Sequence, residues 1–279
     1  VQPNSGNLHR IIFSDVDGTL LDREGRIPAN WEAVLEATSD ALFVLTSSRT
    51  VEELLYVQQR LGLTGPFIAE NGAVVVLTEE WIEAGTGNLL SIDGRVLRQM
   101  RLGTPALQLQ PVIRGAAEAS GVTIEEQQGG GSAPLASPSP REPAPGRTHS
   151  VLLRLKGQGD SEARFRAALA AAHLTVSHSG RWIVVQGGTS KGTAVLQVRH
   201  HIARQTGREW LSIGVGDAEN DRPLLEATHL RFVVRRPDGV IDPALHGIHG
   251  AVAPVAAGIN GWGEIVHLMN QATDVEAAS

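Results

Sequence analysis

Apolar runs of strand length alternate with helical patterns along residues 1–83 and again along 187–279. That alternation is the pattern of a parallel α/β sheet covered by helices. Ile11-Ile12-Phe13 reads as a strand, and Trp31 to Ala37 as a short helix with Asn30 as N-cap. Ala41 to Leu45 has the continuous apolar character of a strand buried on both faces. Val51 to Leu61 is helical, with Gly62 as its C-terminal stop. Phe67 to Ala69 and Ala73 to Leu77 flank Glu70-Asn71-Gly72, a hairpin signal. In the second half, Thr193 to Gln205 is helical and Leu211 to Val215 is a buried strand. Arg222 to Ala227 is a short helix, Arg231 to Val234 a strand, and Asn260 to Gln271 opens a last helix.

The alternation fades after about residue 83. Leu97 to Leu102 reads as a strand or turn and Leu107 to Ser120 as a helix. Gln127 to Arg147 is loop-like, rich in Gly, Pro, Ser and Ala. Val151 to Leu155 is strand-like. Ser161 to Ala172 is a helix capped by Asp160 or Ser161, and Thr175 to Val185 is a hairpin turning at Ser179-Gly180. The expected organisation is a core of 1–83 and 187–279, interrupted by a smaller domain of 84–186.

Composition narrows the function classes. Hydrophobic residues are 42% of the chain, enough for a core, and no apolar run approaches the about 18–20 residues of a membrane span. The absence of cysteine removes disulfides, zinc–thiolate sites and thiol nucleophiles. A net charge of −6 with scattered basic residues argues against nucleic acid as the partner. The polar stretch Val1 to Arg10 has no signal-peptide pattern, so a cytoplasmic location is expected.

Four polar features fall at strand ends or helix starts of the expected core. Ligand sites of open α/β sheets lie at the carboxyl ends of strands. Asp15 and Asp17, two residues apart after the first strand, reach one site if the chain turns there. Carboxylates beside a phosphate imply a cation, and oxygen ligands select a hard ion such as Mg²⁺. Gly18 lets backbone N–H groups come close to an anion; the plainer reading is an acidic turn. Thr46, after Leu45, offers a hydroxyl to a phosphoryl oxygen, or serves a turn or helix cap. Lys191 follows Gly187-Gly188-Thr189-Ser190 at a helix start, where it either neutralises carboxylate and phosphate together or is simply solvated. Gly216-Asp217-Ala218-Glu219-Asn220-Asp221 supplies further carboxylates, more than favourable charge at a helix N-terminus requires.

The order of these features (aspartate pair, hydroxyl, lysine, aspartate pair) resembles the motif order of the haloacid dehalogenase superfamily over essentially the whole expected core. The resemblance implies a Rossmann-like parallel-sheet core with an inserted α+β cap of the C2 type, C2B. It implies Asp15 as nucleophile and Asp17 as general acid and base. Thr46 and Lys191 then hold the phosphoryl group, with Gly18, Thr19, Ser47 and Asn220 around it. Asp15, the backbone carbonyl of Asp17 and Asp217 bind Mg²⁺, with Asp221 or Asn220 close behind. An aspartate at the second position favours a phosphatase or a mutase over a dehalogenase.

The stretches Thr46-Ser47-Ser48-Arg49-Thr50, Pro66 to Gly72 and Val233 to Gly239 are similar to those of mannosyl-3-phosphoglycerate phosphatases. The resemblance implies a phosphorylated sugar as small-molecule substrate, mannosyl- or glucosyl-3-phosphoglycerate. Arg49, Glu70, Asn71, Arg141, Arg181, Gly188 and Thr189 are the candidate substrate contacts. Two other readings stand beside it, a sugar phosphomutase on the same core and a non-enzymatic Mg²⁺-binding phospho-acceptor module. The histidines form no metal set, and His200 and His201 cannot face the same way on a helix. Oligomeric state is left open.

Overall fold

The computed structural model describes residues 9–82, 87–92, 94–126, 147–157, 159–179 and 182–277. Arg141, Arg181 and nearly all of the expected loop Gln127–Arg147 lie outside the described residues.

The first run of elements is β1 (Arg10–Ser14), α1 (Trp31–Ala37), β2 (Ala41–Thr46), α2 (Val51–Leu61), β3 (Phe67–Ala69), β4 (Val74–Leu77), β5 (Asn88–Ile92) and β6 (Arg95–Arg101). Next come α3 (Ala106–Ser120), β7 (Thr123–Glu126), β8 (Ser150–Lys156), α4 (Ser161–Ala171), β9 (Leu174–Ser179) and β10 (Trp182–Gly187). The chain closes with α5 (Lys191–Thr206), β11 (Leu211–Gly216), α6 (Arg222–Glu226), β12 (Leu230–Val233), β13 (Ala251–Val252) and α7 (Trp262–Ala277).

A nine-stranded sheet runs in the order β13-β12-β11-β1-β2-β3-β4-β6-β5, and a four-stranded sheet in the order β7-β8-β10-β9. From β13 to β3 all pairings are parallel; β4, β6 and β5 continue the sheet antiparallel. β1 lies at the middle of the parallel part and its consecutive residues face opposite ways. Ile12 packs with Leu45, Val215, α1, α2 and α7, whereas Ile11 and Phe13 pack with Val44, α5 and α6. Burial on both faces is why these strands read as unbroken apolar runs. The second sheet has its own apolar cluster under α3 and α4, including Leu109, Ile113, Phe165, Leu169 and Val185.

Two features differ from the sequence expectation. The boundary expected at residue 84 cuts across the larger sheet, because β6 and the edge strand β5 continue it antiparallel. Leu89 and Val96 in them are exposed, so the hairpin lacks the continuous apolar signal of the strands it extends. The caps expected of Asn30 and Asp160 also fail, since neither side chain makes a capping hydrogen bond. α2 is instead capped at both ends. Thr50 and Glu53 form a reciprocal capping box, and Gly62 takes φ 69° at the C-terminus.

Trp262, fully buried at the start of α7, donates its indole N–H to the Thr19 carbonyl at 2.9 Å. Its ring meets the edge of Trp31 at 5.9 Å, joining α7, α1 and the loop after β1. Trp262→Ala is expected to lower unfolding free energy by about 3–5 kcal/mol in urea titrations. Loss of the α2 cap in Thr50→Ala should cost only about 1 kcal/mol. Equal losses would show that Trp262 does not hold these elements together.

Candidate active site

The carboxyl ends of β2, β1 and β11 are adjacent, and each delivers polar groups to one place. Asp15 follows β1 directly, its N–H donating to the Val215 carbonyl at 2.9 Å. The chain then turns tightly, with Leu20 and Leu21 both donating to the Val16 carbonyl. Gly18 has φ 93° here, and a Cβ on it would come within 2.5 Å of the Asp217 carboxylate. Only glycine combines that backbone with that proximity. Thr19, expected near a phosphate, donates its hydroxyl to Asp217 at 2.9 Å.

Lys191 enters as the first residue of α5, whose N-terminus is capped by the Ser190 hydroxyl accepting from the Thr193 N–H. Its Nζ lies 2.6 Å from Asp15 Oδ1 and 2.6 Å from Asp221 Oδ1. The other oxygen of Asp221 accepts the N–H groups of Asp217 and Ala218, each at 3.0 Å. Asp15, Asp217 and Asp221 present carboxylate oxygens all within 4.8 Å of one another.

A single ammonium thus faces three crowded carboxylates. Burial, then repulsion from Asp221, raises the Asp15 pKa well above the usual carboxylate range. The same two causes push Asp217 up to about 7. Lys191 moves upward: burial opposes its charge, but Asp15 and Asp221 outweigh it. A buried all-oxygen set with surplus negative charge fits a hard divalent cation. Such an ion would reverse the upward pressure on the carboxylates.

The Asp17 carboxylate turns away from that cluster. Both its oxygens are held by Arg49, with Nε–Oδ2 at 2.9 Å and Nη2–Oδ1 at 2.6 Å. Arg49, expected to contact substrate, is therefore committed to Asp17. Thr46 is fully buried at the end of β2, and its hydroxyl donates to the Val44 carbonyl at 3.3 Å. The Ser47 hydroxyl accepts the Arg49 N–H at 3.2 Å.

Glu70 and Asn71, read from the sequence as sugar contacts, instead join the two sheets. Glu70 is 1% exposed and accepts from the N–H and hydroxyl of Thr148, the N–H of His149 and the hydroxyl of Ser150 at 2.6–3.0 Å. Asn71 donates to the Ser177 hydroxyl at 3.3 Å, and its carbonyl oxygens accept from Gln186 and Asn220. Asn220, assigned to phosphate by resemblance, is thus tied to Asn71. Glu70 and Asn71 have φ 48° and 55°. A Cβ on Gly72 would lie 2.1 Å from the Ser190 carbonyl oxygen, so this turn is packed against the start of α5. Thr189 donates its hydroxyl to the Gly72 carbonyl at 2.9 Å, and Gly188 takes φ 76° beside it.

Arg147 carries no marking spacing in the sequence. It donates to the Ser48 carbonyl at 2.6 Å and to the Ser150 hydroxyl at 3.2 Å, bringing the second sheet to the loop after β2. Burial lowers its pKa from the ordinary arginine value. His201 is buried with its Nε2 at 2.8 Å from the Trp81 carbonyl oxygen and is not among the clustered carboxylates.

Residues 12–86 match the family model of haloacid dehalogenase-like hydrolases. Solved structures similar to this chain include BT1666 from Bacteroides thetaiotaomicron, a phosphatase of the same superfamily, at 17% identity and TM-score 0.64, covering 98% of each chain. The sucrose-phosphatase of Synechocystis, solved with sucrose and phosphate, is 14% identical with TM-score 0.61, covering 94% of this chain and 98% of that one. The subclass IIB sugar phosphatase BT4131 is 16% identical with TM-score 0.60, covering 94% and 98%. Residues 12–86 are thus similar to haloacid dehalogenase-like hydrolases, and the chain as a whole shares its fold with these solved phosphatases.

Proposed function

We propose that this protein is a Mg²⁺-dependent phosphomonoesterase of phosphorylated sugars that works through an aspartyl-phosphate on Asp15. Mannosyl- and glucosyl-3-phosphoglycerate are the substrates to test first. The observation that carries the reading is the Lys191 ammonium, held between Asp15 and Asp221 at the ends of β1 and β11 with Asp217 beside them. The sugar phosphatases among the similar folds support the substrate class.

In this reading an Asp15 carboxylate oxygen attacks phosphorus while the P–O bond to the sugar breaks. The departing oxygen takes its proton from Asp17. Asp17 then takes a proton from water, whose oxygen attacks the phosphorus of the acyl phosphate. The P–O bond to Asp15 breaks, releasing inorganic phosphate and restoring the carboxylate. Lys191 orients Asp15 and offsets charge on the transferring phosphoryl group. Asp15, Asp217 and Asp221 would hold the Mg²⁺, with the Asp17 carbonyl as a further ligand by resemblance, and the ion supplies charge neutralisation at phosphorus. Gly18 and Ser47 border the phosphoryl pocket. Arg141 and Arg181 are proposed to meet the sugar or its carboxylate, with Gly188 and Thr189 at the edge of the site.

Incubation with a panel of phosphorylated sugars and glycosyl phosphoglycerates should release inorganic phosphate. Isomerised product without release would instead mark a mutase, and stable stoichiometric phosphorylation a phospho-acceptor module. Asp15→Asn should lower turnover by about a thousandfold or more while the protein stays folded by circular dichroism; near-normal turnover would sink the nucleophile assignment. Chelator should abolish phosphate release and added Mg²⁺ restore it, and activity indifferent to chelator would remove the metal from the scheme.

A further inference from the structure

We propose that Arg49 is the positioning residue of the general acid/base. Its guanidinium fixes the Asp17 carboxylate towards the leaving group and apart from the metal-binding carboxylates. The inference rests on the phosphatase reading above.

The two cations of the site take three of its four carboxylates, and Asp217 accepts the Thr19 hydroxyl. Lys191 takes Asp15 and Asp221, and Arg49 takes both oxygens of Asp17. The two partners differ in freedom. The Asp17 side chain is 49% exposed and so has open staggered positions around χ1, whereas that of Arg49 is 9% exposed. The backbone that carries the Arg49 fork is held on both sides, its N–H on the Ser47 hydroxyl and its carbonyl accepting the Glu70 N–H at 2.9 Å. A buried, anchored, planar fork on a half-exposed carboxylate selects one orientation of that carboxylate. The other anionic groups acting on Arg49 are Glu53 and Asp15. Glu53 is engaged by the Thr50 N–H in the α2 capping box, and Asp15 by Lys191. Among the described residues, Asp17 is the carboxylate that Arg49 hydrogen-bonds.

Loss of Arg49 should therefore damage proton donation to the leaving oxygen and spare the nucleophile. kcat/KM reports the step in which the leaving group departs. Two esters separate the effects. One is p-nitrophenyl phosphate, whose leaving group needs no proton. The other is the panel member turned over fastest, whose alkoxide does. In the Mg²⁺-loaded full chain, Arg49→Ala should lower kcat/KM about a hundredfold for the alkyl ester and less than about threefold for the aryl ester. In an Asp17→Asn background, Arg49→Ala should add less than about twofold on either ester, because the two residues act as a unit. Arg49→Lys keeps the charge without the fork and should show the same leaving-group bias at smaller size. It carries the test if the alanine variant fails to fold. Equal losses on both esters, an additive loss in the Asp17→Asn background, or full activity in either Arg49 variant would overturn the positioning role. A wild-type chain that hydrolyses neither ester overturns the phosphatase reading and this inference together.

Discussion

The site is organised around the Lys191 ammonium buried between Asp15 and Asp221. Two strand ends and one helix start meet there, and each brings a charge that is costly to bury alone. Removing one partner of such a buried pair typically costs about 3–5 kcal/mol, because the remaining charge is left uncompensated. The backbone around the pair is fitted to it. Gly18 leaves room for the Asp217 carboxylate, Gly72 for the Ser190 carbonyl, and Asp221 is fixed by two backbone N–H groups as well as by Lys191.

The same turn that accommodates α5 also carries the connection to the second sheet. Glu70 collects four donors from the start of β8, and Asn71 reaches β9, β10 and the loop after β11. Two residues of the turn between β3 and β4 thus tie the second sheet to the strand ends that bear the carboxylates. Groups that look like ligand contacts in a one-dimensional reading are spent on architecture. Their buried polar atoms require partners, and the second sheet supplies them.

Legibility followed physical cause. α1, α2, β1, β2 and β11 were readable because each is apolar for one reason, burial on both faces of the sheet or on one helix stripe. β5 and β7 carry exposed or half-exposed residues, so no run announced them. The caps of α1 and α4 were misread because an Asn or Asp before a helix caps only if its side chain turns to the first N–H groups, and here neither does. The polar residues of this cluster were readable in type and order, since Asp15 and Asp17 follow β1, Thr46 ends β2, Lys191 opens α5, and Asp217 and Asp221 follow β11. Their pairing was not. Nothing in the spacing tells that Lys191 takes Asp15 and Asp221, or that Arg49 takes Asp17.

The sequence by itself determined the parallel α/β core, the strand ends that bear carboxylates, and the presence of an insertion. These follow from periodicity and residue type, which act locally along the chain. The tertiary structure alone decided which charge neutralises which and which polar side chains are structural. It also decided that β5 and β6 belong to the larger sheet. Those outcomes depend on contacts between residues far apart in the chain, 176 positions in the case of Lys191 and Asp15. At such separations a charge finds its partner only once strand order and helix packing have fixed the distances, and the strength of the pair depends on burial that no local pattern encodes.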